Sequence, residues 1–163
     1  MTRIMVISDT HMPITAAELP KPVIDEIKKS DILIHAGDLI DMSLLAGLQK
    51  LCPKVIAVRG NMDQDPGAEQ LKEKEILEIG PFRIGIMHGK GAPDKLLDLL
   101  NEEFKNDRLD MVIFGHSHSP LNKQVGKTIF FNPGSPTEKV FSPYNSYGII
   151  EISDKIKADI IKL

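Results

Sequence analysis

The sequence predicts an α/β fold in which parallel strands joined by helices give way to a mixed or antiparallel sheet. Three observations predict it. Short apolar runs alternate with amphipathic stretches through the first third of the chain. Later, short β-rich segments follow one another across turns at Gly80-Pro81, Gly126-Lys127 and Asp154-Lys155. Polar residues, among them four of the five histidines, gather where apolar runs end.

Each element has its own signal. Residues 3–8 form a β-rich run that opens into Asp9-Thr10-His11, as a buried strand feeding a functional loop would. A helix over residues 22–29 has Pro22 in its first turn and Val23, Ile24 and Ile27 on one face. Residues 31–36 are the second strand, ending at Gly37-Asp38. Asp41 then caps a helix bearing Leu44, Leu45, Leu48 and Leu51. Residues 54–58 are the third strand and end at Gly60-Asn61. Strands alternating with helices imply right-handed crossovers and parallel pairing.

From Lys74 the pattern changes. Strands end and begin around Gly80-Pro81, with residues 82–87 forming the second of the pair. Residues 93–106 read as a helix with Leu96, Leu97, Leu99 and Leu100 in its core stripe, and residues 111–114 as a buried strand. Four further β segments follow at 122–125, 128–131, 147–152 and 157–161. No repeat, low-complexity tract or domain boundary interrupts this order, so residues 1–163 are expected to be a single domain.

Composition narrows the setting. A chain of 163 residues is expected to expose roughly 8,000 Å² when folded and to need no staple for its core. Its one cysteine, Cys52, cannot form an intrachain disulfide and reads as a buried small hydrophobe. A net charge of −3 gives no overall field to draw the chain onto nucleic acid or anionic lipid. No apolar run approaches the roughly 20 residues of a membrane span, and the four apolar residues after Arg3 are too few for a signal-peptide core. A cytoplasmic location is expected.

The candidate site comprises Asp9 and His11 after the first strand, Asp38 after the second, Asn61 after the third, His88 after residues 82–87, and His116 with His118 after residues 111–114. Carboxyl ends of strands in open α/β sheets face a common crevice, where such residues converge. Imidazole nitrogen suits transition metals, whereas calcium and magnesium prefer oxygen. Four His, two Asp and one Asn are too many for one tetrahedral ion and suit two ions sharing a carboxylate. Residues two apart in extended chain point the same way, so Asp9 with His11, and His116 with His118, each present a pair. Two divalent cations less two carboxylates leave a surplus of charge that invites a hydroxide and a phosphate ester.

Asp9-x-His11, Gly37-Asp38-x-x-Asp41, Gly60-Asn61-x-Asp63, His88-Gly89 and Gly115-His116-x-His118, in that order, resemble the calcineurin-like metallophosphoesterase superfamily. Ile34-His35-Ala36-Gly37-Asp38 and Asn132-Pro133-Gly134-Ser135 are similar to its small prokaryotic phosphodiesterase branch. The resemblance implies a four-layer α/β/β/α sandwich, with two mixed β-sheets flanked by helices. It implies that Asp9, His11 and His118 hold one metal, that Asn61, His88 and His116 hold a second, and that Asp38 bridges them. Asp38, Asn61 and His88 thereby carry the catalytic assignment, with a metal-bridging hydroxide as nucleophile. The two divalent ions are expected to be Mn²⁺, with Ni²⁺, Fe²⁺ or Zn²⁺ as alternatives.

One departure bears on substrate. Many phosphatases of this superfamily carry a histidine after the Gly-Asn pair, held to protonate the leaving group; here the position is Met62, whose thioether has no proton to give. Loss of a general acid weighs least for weakly basic leaving groups, so diesters and activated esters are the expected substrates. The arginine that often follows the Asn-Pro-Gly-Ser segment is also absent, the chain continuing Pro136-Thr137-Glu138-Lys139.

Structural roles compete at several positions. His35 is read as structural or supporting, Asp41 and Asp63 as either turn residues or orienters of ligands, and residues 132–135 as a loop shaping the site. Gly89-Lys90-Gly91 is most simply a turn. The leading function is a two-metal phosphodiesterase acting on a small diester. A phosphomonoesterase or a nuclease is the enzymatic alternative, the latter disfavoured by the charge and by an aromatic content of 5%. A non-catalytic scaffold is the third reading, since the fold resembles the retromer subunit of endosomal coats. A homodimer is compatible with the family, although no sequence feature identifies an interface.

Overall fold

The computed structural model describes residues 1–163. Its elements are β1 (Thr2–Ile7), α1 (Lys21–Ile27), β2 (Ile32–His35), α2 (Met42–Gln49), β3 (Val55–Ala57), β4 (Lys74–Ile79), β5 (Phe82–Met87), α3 (Leu96–Glu103), β6 (Met111–Ile113), β7 (Leu121–Val125), β8 (Thr128–Asn132), β9 (Ser146–Ile152) and β10 (Ile156–Lys162). Single 3₁₀ turns occupy Ala68–Gln70 and Pro93–Lys95.

The strands form two five-stranded sheets, ordered β10-β9-β1-β2-β3 and β4-β5-β6-β8-β7. In the first, β1, β2 and β3 are parallel, while β9 runs antiparallel to both β1 and β10. In the second, β5, β6 and β8 are parallel, with β4 and β7 antiparallel at the edges.

Strand parity builds the layers. On β1, Ile4 and Val6 face the second sheet, joining Ile32, Ile34, Ile84, Ile86, Met111, Ile113 and Phe131 in the core between the sheets. Met5 and Ile7 point the other way, with Leu33, toward Val23, Ile27 and Leu48 of α1 and α2. On the far side, Leu96 and Leu100 of α3 pack with Phe104 onto Val112 and Phe130. Helices, sheet, sheet and helix thus form the expected four layers. The exposed area, 8172 Å², is close to the length-based expectation.

Three elements depart from the sequence reading. The helix expected over residues 93–106 begins as a 3₁₀ turn and ends at Glu103. The last two strands also leave the mixed second-half sheet for the first one. β9 is buried on both faces, with Ile150 and Ile152 against the inter-sheet core and Tyr147 and Ile149 against the helix side. Such a strand needs neighbours on both edges, which β1 and the half-exposed β10 supply.

Both expected helix-start signals hold, Pro22 lying in the first turn of α1. Asp41 caps α2 by accepting from Ser43 N at 2.8 Å. Cys52 is buried, its thiol lying 3.4 Å from the carbonyls of Ser30 and Lys54.

Candidate metal centre

The ends of β1, β2 and β3 lie at one edge of the first sheet and those of β5 and β6 at the abutting edge of the second. Asp9 N donates to Gly37 O at 3.0 Å and Gly115 N to His88 O at 3.1 Å, joining neighbouring loops within each sheet. His116 N donates to Asp9 Oδ2 at 3.1 Å and Ser135 Oγ to Asp9 O at 2.8 Å, joining the sheets.

Five of the seven expected ligands occupy the left-handed region: Asp9 (φ 53°), His11 (45°), Asp38 (59°), His116 (69°) and His118 (55°). Asp and His are among the non-glycine residues enriched there, and such conformations persist only where surrounding contacts enforce them. Glycines allow the loops to close. A Cβ on Gly60 would sit 2.1 Å from Asp38 Oδ1, and one on Gly115 would sit 2.0 Å from Ser8 Oγ and 2.7 Å from Asp9 Oδ2.

Two groups of donor atoms result. Asp9, His11 and His118 form one, and Asp9, Asp38 and His88 the other, the atoms of each lying within 4.8 Å of one another. Asp9 Oδ1 is 3.2 Å from His118 Nε2, 3.7 Å from His88 Nε2 and 3.8 Å from His11 Nε2. Asp38 Oδ2 lies between His11 Nε2 at 3.1 Å and His88 Nε2 at 3.3 Å. His116 stands outside both groups and meets Asn61 instead, its Nδ1 lying 3.2 Å from Asn61 Oδ1. Their link to the rest runs through the His116 amide and an edge-on contact of the His88 and His116 rings, centroids 5.4 Å apart.

Four of the donors are aimed by a partner on their other side. Ser8 Oγ donates to Asp9 Oδ2 at 2.7 Å, leaving Oδ1 directed inward. Met62 N donates to Asp38 Oδ1 at 2.8 Å, leaving Oδ2. His88 Nδ1 donates to Ala36 O at 2.7 Å, so Nε2 is the inward atom. His116 Nε2 donates to Gly91 O at 2.8 Å, so Nδ1 keeps its lone pair where it meets the Asn61 oxygen. Asp9 Oδ1 and His88 Nε2 are buried with no hydrogen-bond partner. A cation among these atoms satisfies what no donor in the chain does, so the residues fit a divalent metal.

The electrostatics agree. Burial alone would lower the His88 pKa, but the Asp38 carboxylate 3.3 Å from Nε2 and the charge of Asp9 outweigh it and push it up to about 9. His11 is raised likewise, against its burial, by Asp38, Asp9 and Glu138. Asp38, although buried, is held well below the usual carboxylate range by His11, His88 and the Met62 amide. The site is therefore built around concentrated negative charge.

Supporting residues resolve the open positions. Asp63 is fully buried and accepts from Asp38 N at 2.9 Å, Ile40 N at 2.8 Å and Gly60 N at 2.7 Å, tying the loop of Asp38 to that of Asn61. Asp41 is the helix cap alone. His35 is also fully buried: its Nδ1 accepts from Gly37 N at 3.2 Å and its Nε2 lies 3.0 Å from Thr10 Oγ1. Burial holds its pKa down to about 3, so it is neutral and structural. Asn132 binds Gly115 O and Ser117 Oγ, both at 3.0 Å, bracing the histidine loop. Met62 exposes its side chain and supplies only its amide.

Glu138 was not singled out by sequence. Its Oε2 lies 3.6 Å from His11 Nδ1, while Oε1 accepts from Val140 N at 2.7 Å. Burial would raise its pKa, but those amides and the charges of His118 and His11 lower it. The available signal was weak, an acidic residue three places after Ser135, whose hydroxyl accepts from the amides of both Thr137 and Glu138.

Fold and site together define a phosphoesterase of the metal-dependent, hydrolytic class. The chain belongs to the calcineurin-like phosphoesterase superfamily, whose domain model matches residues 2–155. It is 41% identical over 162 residues to a probable metallophosphoesterase of Methanocaldococcus jannaschii, covering 97% of this chain and 80% of that one. It is 26% identical over 178 residues to phosphodiesterase YfcE of Escherichia coli, covering 93% and 88%. Among solved structures, Entamoeba histolytica Vps29 complexed with zinc superposes with a TM-score of 0.76 at 27% identity, covering 99% of each chain.

Proposed function

We propose that the protein is a two-metal phosphodiesterase acting on small diesters. The observation that carries this is Asp38 Oδ2, one carboxylate oxygen within 3.3 Å of histidine nitrogens from both sheets. In this reading Asp9, His11 and His118 hold one ion, Asn61, His88 and His116 the other, and Asp38 is shared. The ions would supply an activated water at neutral pH and neutralise the phosphoryl oxygens. Manganese is the first candidate ion, its carboxylate preference met by Asp9 and Asp38, while the imidazoles equally admit nickel, iron and zinc.

The chain's own residues set the rest. Ser8, the His116 amide, Ala36 and Gly91 fix which atoms of Asp9, His88 and His116 face inward. Diesters are favoured because Met62 cannot protonate a leaving group, and because a relative is named a phosphodiesterase. The net charge of −3 favours a small diester over a nucleic-acid strand. The free, buried Cys52 is consistent with a reducing, cytoplasmic setting.

The test is hydrolysis of bis(p-nitrophenyl) phosphate by metal-stripped protein titrated with manganese, beside Asp38→Ala. Turnover restored by metal and lost in the variant is expected. Absence of turnover with manganese, nickel, iron or zinc, despite bound metal, refutes the reading in favour of a scaffold.

A further inference from the structure

The turn that carries Asn61 also carries Arg59, and beside it opens a cavity of about 310 Å³. It lies between the end of β3, the chain entering β4 and the end of β5. Asn61 and His88 form the wall toward the metal centre, while Arg59, Gln64, Glu73 and Lys90 line the remainder; Met87 is the one apolar residue of the lining. A pocket adjoining an active site and lined almost wholly by polar and charged residues is better suited to a polar or ionic group than to an aryl or alkyl one.

Its charges are unequal. Arg59 is anchored through its backbone, N donating to Lys72 O at 2.8 Å, and through Nε, donating to Asp63 O at 3.4 Å. The two terminal guanidinium nitrogens and the exposed Lys90 ammonium make no hydrogen bond or ion pair within the chain, unlike Arg3 and Arg83, whose terminal nitrogens are engaged. Two carboxylates also line the space. That of Asp63 is consumed by three backbone amides, which leaves Glu73 alone against two cations. A guanidinium fixed at one edge with its fork free is suited to a phosphate or carboxylate, and Gln64 and Glu73 can accept from hydroxyls.

We propose, resting on the phosphodiesterase reading above, that this cavity is a subsite for a second anion of the substrate, held by Arg59 and Lys90 apart from the phosphoryl group that reacts. The substrate class is a diester in which a polyol or nucleoside substituent carries an additional phosphate.

A matched pair of substrates tests it. Thymidine 5′-(p-nitrophenyl phosphate) and the same diester bearing a 3′-phosphate differ only in the second anion, and both release p-nitrophenol. With saturating manganese, the extra phosphate is expected to raise kcat/KM by about tenfold, mainly through KM. That preference should shrink severalfold in Arg59→Gln and in Lys90→Gln and vanish in the double variant. Calorimetric binding of thymidine 3′,5′-bisphosphate against thymidine 5′-monophosphate supplies a readout independent of turnover, with the same contrast expected. If neither diester turns over, the phosphodiesterase reading fails while the binding contrast still decides the subsite. Equal kcat/KM and equal affinity for the two partners of each pair, or a preference that survives in the double variant, overturns it.

Discussion

Replacing Asp63 by asparagine removes one carboxylate oxygen from a group that holds three backbone amides. In the native arrangement Oδ2 accepts from Asp38 N and Gly60 N, and Oδ1 from Ile40 N. The asparagine oxygen can serve the first two, but its NH₂ then confronts the Ile40 N–H, donor against donor. One charge-assisted hydrogen bond is lost and buried donors are left unsatisfied, a cost of about 3 kcal/mol. Out of a total stability of roughly 5–15 kcal/mol, this leaves a folded but weakened protein. With a slope of about 1–3 kcal/mol per molar urea, the metal-free unfolding midpoint should fall by roughly 1–3 M. Because the same amides place Asp38 and the Asn61 turn, manganese affinity should fall about 10- to 100-fold, read by calorimetry on the folded variant. A midpoint within about 0.3 M of the parent, with unchanged affinity, would refute the claim that Asp63 sets the ligand loops.

Metal loading near pH 7.5 should release about one proton, because the His88 pKa of about 9 in the metal-free protein must be overcome before Nε2 can ligate. Titrations in buffers of different ionisation enthalpy would detect it, and apparent affinity should climb as the pH rises toward 9. In the metal-free protein the stability from protonated His88 is fully present below its unfolded pKa of about 6.5 and is lost as pH rises through about 9. His35 acts in the opposite sense. Its pKa of about 3 lies below the unfolded value, so its contribution is present above about pH 6.5 and is lost as pH falls, by about 2 kcal/mol near pH 5. Urea midpoints across this range, with His35→Gln as the flatter control, measure it. Gly115→Ala should abolish metal binding by displacing Ser8 and Asp9, whereas Gly47→Ala, inside α2 with open space around it, should raise stability by about 0.5–1 kcal/mol; thermal unfolding and metal titration separate the two.

The strand ends carried most of the site's signal in the sequence. Asp9, Asp38 and Asn61 close parallel strands of one sheet, and His88 and His116 follow strands of the other, so an ordered polar residue after each apolar run located them. What the sequence could not convey was pairing at long range. Nothing local to residues 146–152 distinguishes a strand beside β1 from one beside β8, because burial on both faces looks the same in either place. Glu138 was hidden for a similar reason: its approach to His11 spans two loops with no shared spacing. The seat of His35 depended on strand parity at the last residue of β2, where the chain turns toward Gly37 and the pattern of two ceases to hold.

The origin of the proposed ligands in two sheets has a mechanical consequence. Asp9, His11, Asp38 and Asn61 come from the first sheet, and His88, His116 and His118 from the second. Between the sheets lies a layer of aliphatic and aromatic side chains, which resists separation but has little directional resistance to sliding. Metal ions at the shared edge would act as a rivet through two plates. Shear stiffness would then be concentrated at that edge, while the opposite edge stays free to slip. Pulling on β1 against β8 should meet a resistance that chelation removes, and amides at the riveted edge should slow their exchange on metal loading far more than those at the other.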